Sequence, residues 1–293
     1  MADDLLLVVD FDGTLYRGDE PVRFYARRLA SALPEADGAA LLASFERYLE
    51  QGPKAAADSR DTVEAAALRE AVDGWGAAVH LGQRVYGIPP GVVDRAFVDT
   101  RAHMVESACE LEPAEPLLDT LRLLGGRVRR VLATNSPDIG LDVLLRRIGA
   151  DGLFDEIVCS LGKPDGLRRY LQRELGQNPG GTVPGGTVLS GTVPSSTVPS
   201  GAALGGAVPG GAVPDGRAAR YPAQHPAAWR LFSVGDHYRN EIEPAVEIGA
   251  RAGFVDRFGR RDGPATAVAP TVEGVLPALL AWARDPRRTI EDE

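Results

Sequence analysis

Leu5-Leu6-Leu7-Val8-Val9-Asp10-Phe11-Asp12-Gly13-Thr14-Leu15 is the stretch on which the fold turns: five aliphatic residues run into two carboxylates spaced two apart and a Gly-Thr pair. An apolar run without polar alternation is the mark of a strand buried on both faces. Three later runs share its shape and its polar ending: Arg130 to Thr134, Glu156 to Ser160 and Leu231 to Gly235. Between them stand segments of helical spacing, Leu117, Leu118, Leu121 and Leu124, then Leu141, Leu144, Leu145 and Ile148, then Ile242, Ala245, Val246 and Gly249. Strands that alternate with helices predict an α/β fold, a doubly wound parallel sheet whose ligands bind beyond the carboxyl ends of the strands. The polar strand ends are therefore expected to converge.

The alternation breaks between Tyr16 and Glu112, where stripes such as Val22, Tyr25, Leu29 and Leu33 or Leu41, Leu42, Phe45 and Leu49 recur at helical period. This predicts a small α-helical domain over residues 16–112, inserted into a core made of residues 1–15 and 113–293. Pro113 and Pro116 mark the return to the core. Residues 180–214 are seven successive pentapeptides, from Gly180-Gly181-Thr182-Val183-Pro184 to Gly210-Gly211-Ala212-Val213-Pro214, without charge or aromatic side chain. Such a tract has too little large apolar surface to offset the entropy of ordering, so a disordered surface loop is expected there.

Acidic residues outnumber basic ones, giving a formal net charge of −9, and no Lys/Arg run forms a patch for nucleic acid. Leu5 to Val9 is too short to cross a bilayer, and Asp3-Asp4 stands where a signal peptide needs positive charge, so a cytoplasmic protein without a membrane partner is expected. Cys109 and Cys159 have neither a disulfide framework nor a zinc spacing and read as buried thiols.

The chemistry resides in Asp10 and Asp12. A carboxylate attacks phosphorus only when its charge and the substrate's are offset, which a divalent cation bound beside it achieves, and oxygen ligation suits Mg²⁺. A second carboxylate two residues on can protonate the leaving alkoxide and then activate water, and Gly13 lets the backbone turn between them. Thr134-Asn135-Ser136 and Gly162-Lys163-Pro164 follow the second and third runs. Lys163 and Lys54 are the two lysines among 32 basic residues, so a compact cation at this place is informative. Asp236 follows the fourth run and Glu241 stands five residues on.

Asp10-Phe11-Asp12-Gly13-Thr14-Leu15 resembles the first motif of the haloacid dehalogenase-like superfamily, and Thr134, Lys163 and Asp236 resemble its second, third and fourth in the right order. The resemblance implies a Mg²⁺-dependent phosphomonoester hydrolase acting on a small phosphorylated metabolite through an aspartyl-phosphate. Under it Asp10 is nucleophile and metal ligand. Asp12 is general acid and base and lends its carbonyl to the metal. Thr134, Asn135 and Lys163 hold phosphoryl oxygens, and Asp236 ligates the metal. Glu241 stands where the family usually has Asp, which implies a role through a metal-bound water. The inserted helices match the family's helical cap. Asp12 favours phosphoryl chemistry, because the family's dehalogenases generally lack that second aspartate. The alternatives are a phosphosugar mutase of the same fold and a catalytically silent binding protein.

Overall fold

The computed structural model describes residues 5–106, 109–176, 187–189 and 227–285. The first strand, β1 (Leu5–Val9), continues into the loop that carries Asp10 and Asp12 and into a two-residue strand, β2 (Tyr16–Arg17). Five helices follow: α1 (Glu20–Ala30), α2 (Glu35–Gln51), α3 (Thr62–Glu70), α4 (Gly74–His80) and α5 (Pro90–Val105). The chain returns through β3 (Glu112–Pro113), which pairs antiparallel with β2, Tyr16 opposite Pro113 and Arg17 opposite Glu112. This clasp ties together the two ends of the helical segment.

The remaining elements alternate: α6 (Glu115–Leu124), β4 (Val128–Ala133), α7 (Leu141–Arg147), β5 (Glu156–Cys159), α8 (Asp165–Glu174), β6 (Thr187–Leu189), β7 (Leu231–Gly235), α9 (Glu243–Glu247), β8 (Arg251–Val255), β9 (Ala267–Ala269) and α10 (Leu276–Arg284). The main sheet has the order β6-β5-β4-β1-β7-β8-β9. All of its pairings are parallel except that of β6 with β5. The fold is thus the α/β sheet expected from the alternation of apolar runs and helical stripes.

β1 sits at its centre, and all five of its residues are buried, as an unalternating apolar run requires. Leu5, Leu7 and Val9 join Leu117, Leu121, Leu144 and Trp282 in the core on one face. Leu6 and Val8 join Leu167, Leu171, Ile242 and Phe254 on the other. Successive residues of one strand thereby anchor helices on both faces, as the two-residue strand period dictates. The five inserted helices have an apolar core of their own, built from Tyr25, Leu29, Leu41, Phe45, Tyr48 and Leu81. They dock on the loop after β8: Phe258 meets Tyr48 edge-on with ring centroids 5.4 Å apart, and the Arg260 guanidinium donates to the Ala71 carbonyl at 2.7 Å.

Three expectations are revised. The second strand begins at Val128 and ends at Ala133, because it pairs with β1 from Leu5 onward, so Thr134 lies just past the sheet. β8 and β9 have no counterpart in the reading of apolar runs, since Arg251-Ala-Gly-Phe-Val and Ala267-Val-Ala are rich in small residues. Within the pentapeptide tract, residues 187–189 form β6 instead of loop, because the open edge of β5 presents backbone groups to any extended segment that reaches it. The rest of that tract lies outside the described residues.

Trp282 is fully buried against Phe232 of β7, with centroids 5.4 Å apart, and its indole N–H donates to the Trp229 carbonyl at 2.8 Å. Trp282→Ala is expected to destabilise the protein by about 3–5 kcal/mol, measured by denaturant unfolding, with a loss below about 1 kcal/mol contradicting this packing.

Candidate functional site

The carboxyl ends of β1, β4 and β7 and the loop after β5 meet at one cavity of ≈ 200 Å³. The sheet contributes Asp10, Asp12, Thr134, Asn135, Ser136, Lys163, Asp236, His237, Asn240 and Glu241 to its lining, and the helical segment contributes Asp73, Trp75 and Phe97. Every residue singled out in the sequence for catalysis, phosphate or metal lines this space.

Lys163 is the centre of the arrangement. Its side chain is 1% exposed, and Nζ donates to Asp10 Oδ1 at 2.6 Å and to Glu241 Oε1 at 3.1 Å. Burial opposes its charge, yet the Asp10 and Glu241 carboxylates outweigh that and hold its proton affinity above the usual lysine value. Its backbone is fixed as well, because Lys163 N–H donates to Asn135 Oδ1 at 2.7 Å. Asn135 therefore orients the lysine loop through its carbonyl oxygen.

Burial raises Asp10 to about 7; Lys163 pulls against that, while Glu241 and Asp12 add to it. Burial likewise pushes Asp236 well above the usual carboxylate range, with the charges of Asp10 and Glu241 adding to the effect. Asp236 lies so close to the first loop that a Cβ on Gly13, whose φ is +80°, would stand 2.1 Å from its Oδ2. Glycine is needed there on both counts.

Asp12 is held differently. Tyr16 Oη donates to its Oδ1 at 2.6 Å, and Ser136 Oγ donates to Oδ2 at 2.7 Å. The guanidinium of Arg101, on α5, approaches Oδ1 at 3.6 Å. Thr134 is buried, and its Oγ1 accepts from Ser136 N–H at 3.0 Å, which leaves the hydroxyl proton to donate elsewhere.

Among the described residues, no group of three or more His, Cys, Asp or Glu side chains is disposed to hold a metal ion. Glu241 explains why the third acid is missing: Oε1 takes the Lys163 ammonium, and Oε2 accepts His237 N–H at 2.7 Å. Both of its oxygens serve the protein. Asp10 and Asp236 remain: buried Asp10 shares Lys163 with Glu241, and Asp236 is half-buried beside the Gly13 turn. That donor set fits Mg²⁺, which binds through one or two carboxylates and keeps several waters.

Ser136, Tyr16, Arg101, Asp73, Trp75 and Phe97 are not among the residues singled out from the sequence. Ser136 had a visible signal, standing two residues from Thr134 in a polar strand end. The others come from β2 and the helical segment, where nothing in their local pattern marks them. His237 also lines the cavity, and its Nδ1 accepts from Asn240 N–H at 3.3 Å to cap the wide helical turn at Tyr238–Ile242.

A family model for haloacid dehalogenase-like hydrolases matches residues 6–179, more than half of the 293-residue chain. The chain belongs to that family and is a hydrolase. Solved structures similar to it include a haloacid dehalogenase-like hydrolase from Xanthomonas campestris, at 17% identity over 98% of this chain and 99% of that one, TM-score 0.48. A HAD-family hydrolase from Bacillus subtilis, described as bound to magnesium, matches at 14% identity over 94% and 99%, TM-score 0.48. A predicted phosphoglycolate phosphatase from Haemophilus somnus matches at 14% over 95% and 99%, TM-score 0.50. At these identities the likeness is one of fold. A comparison with curated proteins finds no match. No helix among the described residues is long and apolar enough to cross a membrane.

The raised Asp10 value makes stability depend on pH in a defined direction. From the ordinary value of 3.8 to about 7 the unfolded chain has released this proton while the folded chain retains it, so rising pH favours unfolding across that window. The metal-free protein is therefore expected to melt at lower temperature at pH 7.5 than at pH 5, and Asp10→Asn to flatten that dependence. Identical pH profiles for the two proteins would contradict the assignment. Gly13→Ala is expected to lower stability by about 1–2 kcal/mol through its left-handed backbone alone, with further loss from the Asp236 contact, read from the same melts.

Proposed function

We propose that the protein is a Mg²⁺-dependent phosphomonoester hydrolase that works through an aspartyl-phosphate on Asp10, with a small phosphorylated metabolite as substrate. The observation that carries this reading is the second aspartate: Asp12 is held beside the nucleophile loop by Tyr16 and Ser136 and lines the same cavity as Asp10. A halide leaving group needs no acid, whereas an alkoxide does.

Asp10, Asp236 and the backbone carbonyl of Asp12 would hold the cation, which offsets negative charge on the nucleophile and the phosphoryl group. A carboxylate oxygen of Asp10 forms the bond to phosphorus while the bond to the ester oxygen breaks, and Asp12 delivers a proton to the departing alkoxide. Asp12, now ionised, takes a proton from the water that attacks the phosphorus of the acyl phosphate. Phosphate leaves, and Asp10 is restored as a carboxylate. Lys163 and the Thr134 hydroxyl bind phosphoryl oxygens throughout, and Asn135 keeps the Lys163 loop in register.

Glu241 acts through Lys163. By accepting from Nζ and from His237 N–H it fixes the ammonium and the turn after β7 in one geometry, without joining the cation. The five inserted helices act as a cap: Asp73, Trp75 and Phe97 enclose the side of the cavity that the sheet leaves open. Excluding water there strengthens the charge interactions on which the phosphoryl group depends.

Phosphate release from a panel of phosphomonoesters, with Mg²⁺ and with EDTA, tests the reading. Release is expected with Mg²⁺ and not with EDTA, and Asp10→Asn is expected to lose turnover by about three or more orders of magnitude, since the amide cannot form the acyl phosphate. Near-native turnover in that variant would overturn the role of Asp10.

A further inference from the structure

The residues that the helical segment places in the cavity are an acid and two aromatic rings. Asp73 precedes α4 and is fixed by its own cap, its Oδ1 accepting Gly76 N–H at 2.6 Å. Trp75 and Phe97 stand beside it, their rings edge to face with centroids 5.7 Å apart. With the phosphoryl group at Lys163 and Thr134, the leaving group faces these three side chains.

Lys163 is the cation in the cavity lining, and it is already matched by Asp10 and Glu241. Arg257 lines both adjoining clefts, which also border Asp73 and Asp236. Its guanidinium is spent on Asp19, with hydrogen bonds of 2.6 and 2.8 Å to the two carboxylate oxygens, and it stacks over Phe258 at 5.1 Å. Arg101 is fully buried behind Asp12, 3.6 Å from its Oδ1, and is not part of the lining, so among the described residues an anionic leaving group would meet Asp73 with no free cation in the cavity wall. Like charges brought together in a small enclosed site oppose binding strongly, whereas an ammonium gains from both the carboxylate and the aromatic faces.

We propose that Asp73, Trp75 and Phe97 select phosphomonoesters whose leaving group carries no negative charge and ends in an N–H or O–H donor, a primary ammonium above all. The inference rests on the phosphatase reading and deepens it. The cavity of ≈ 200 Å³ keeps such substrates small. A carboxylate-bearing ester such as phosphoglycolate is excluded by the same charges.

Three esters with a two-carbon leaving group separate the cases: phosphoethanolamine, 2-hydroxyethyl phosphate and 2-phosphoglycolate, assayed with Mg²⁺ beside p-nitrophenyl phosphate. The ammonium ester is expected to exceed phosphoglycolate in kcat/KM by at least about tenfold, with the hydroxyl ester between. Asp73→Asn keeps a capping side chain at the start of α4, and it is expected to reduce that ratio several-fold, chiefly through KM. A ratio at or below one in the wild type, or a ratio unchanged in the folded variant, would overturn the inference while leaving the phosphatase reading intact. Failure to release phosphate from all four esters would overturn both.

Discussion

An ammonium group taken out of water costs several kcal/mol unless partners replace its hydration, and the position of Lys163 is set by that requirement. Its two partners come from different elements, Asp10 just past the central strand β1 and Glu241 in the turn after β7. The three residues come from positions 10, 163 and 241, and only a sheet in which β1 runs between β4 and β7 brings them together. Glu241 is in turn pinned by backbone: its carbonyl accepts from Ser233 Oγ at 2.8 Å, and a Cβ on Gly235 would come within 2.5 Å of its own Cβ. The close turn after β7 exists because residue 235 is glycine. An arginine in place of Lys163 would present a broad planar fork where a compact point charge fits between two carboxylates.

Asp12 couples the sheet to the inserted helices. Arg101 on α5 is fully buried, stands 5.5 Å over the Phe11 ring and approaches Asp12 at 3.6 Å, while its Nε and Nη2 have no hydrogen-bond partner. A guanidinium so poorly satisfied depends for compensation on one carboxylate, one ring and the Met104 thioether, to which Nη1 donates at 3.6 Å. Moving α5 away would therefore leave a buried charge unmatched, and moving the first loop would do the same. The helical segment and the acid loop are consequently held in one relative position by electrostatics as well as by the β2–β3 clasp.

What the sequence made legible follows from which interactions are local. The central strand announced itself because burial on both faces demands an unbroken apolar run, and Asp10, Thr134, Lys163 and Asp236 were visible because each sits just past such a run. β8 and β9 escaped because Ala252, Gly253, Ala267 and Ala269 lack the bulk that marks a strand; Gly253 packs instead against Phe232 and Val275. β6 escaped because its pairing is set by the free edge of β5 and not by its own composition. Asp73, Trp75, Phe97 and Arg101 were out of reach for a different reason. They reach the cavity through the docking of the helical segment on Phe258 and Arg260, contacts between residues about two hundred positions apart.

The charge balance of the cavity explains why one lysine and a divalent cation are both needed on the phosphatase reading. Three carboxylates, Asp10, Asp236 and Glu241, line the cavity, and desolvation raises the proton affinity of each. Lys163 can satisfy one oxygen of Asp10 and one of Glu241, and the second oxygen of Glu241 belongs to His237 N–H. Among the described residues that leaves Asp236 without an ion pair, and the far oxygen of Asp10 with only the Thr14 hydroxyl, 3.4 Å away. A neutral hydroxyl cannot offset a charge on a nucleophile. On the phosphatase reading a cation held by Asp10 and Asp236 would relieve their mutual repulsion, while Lys163 would hold the incoming phosphoryl group.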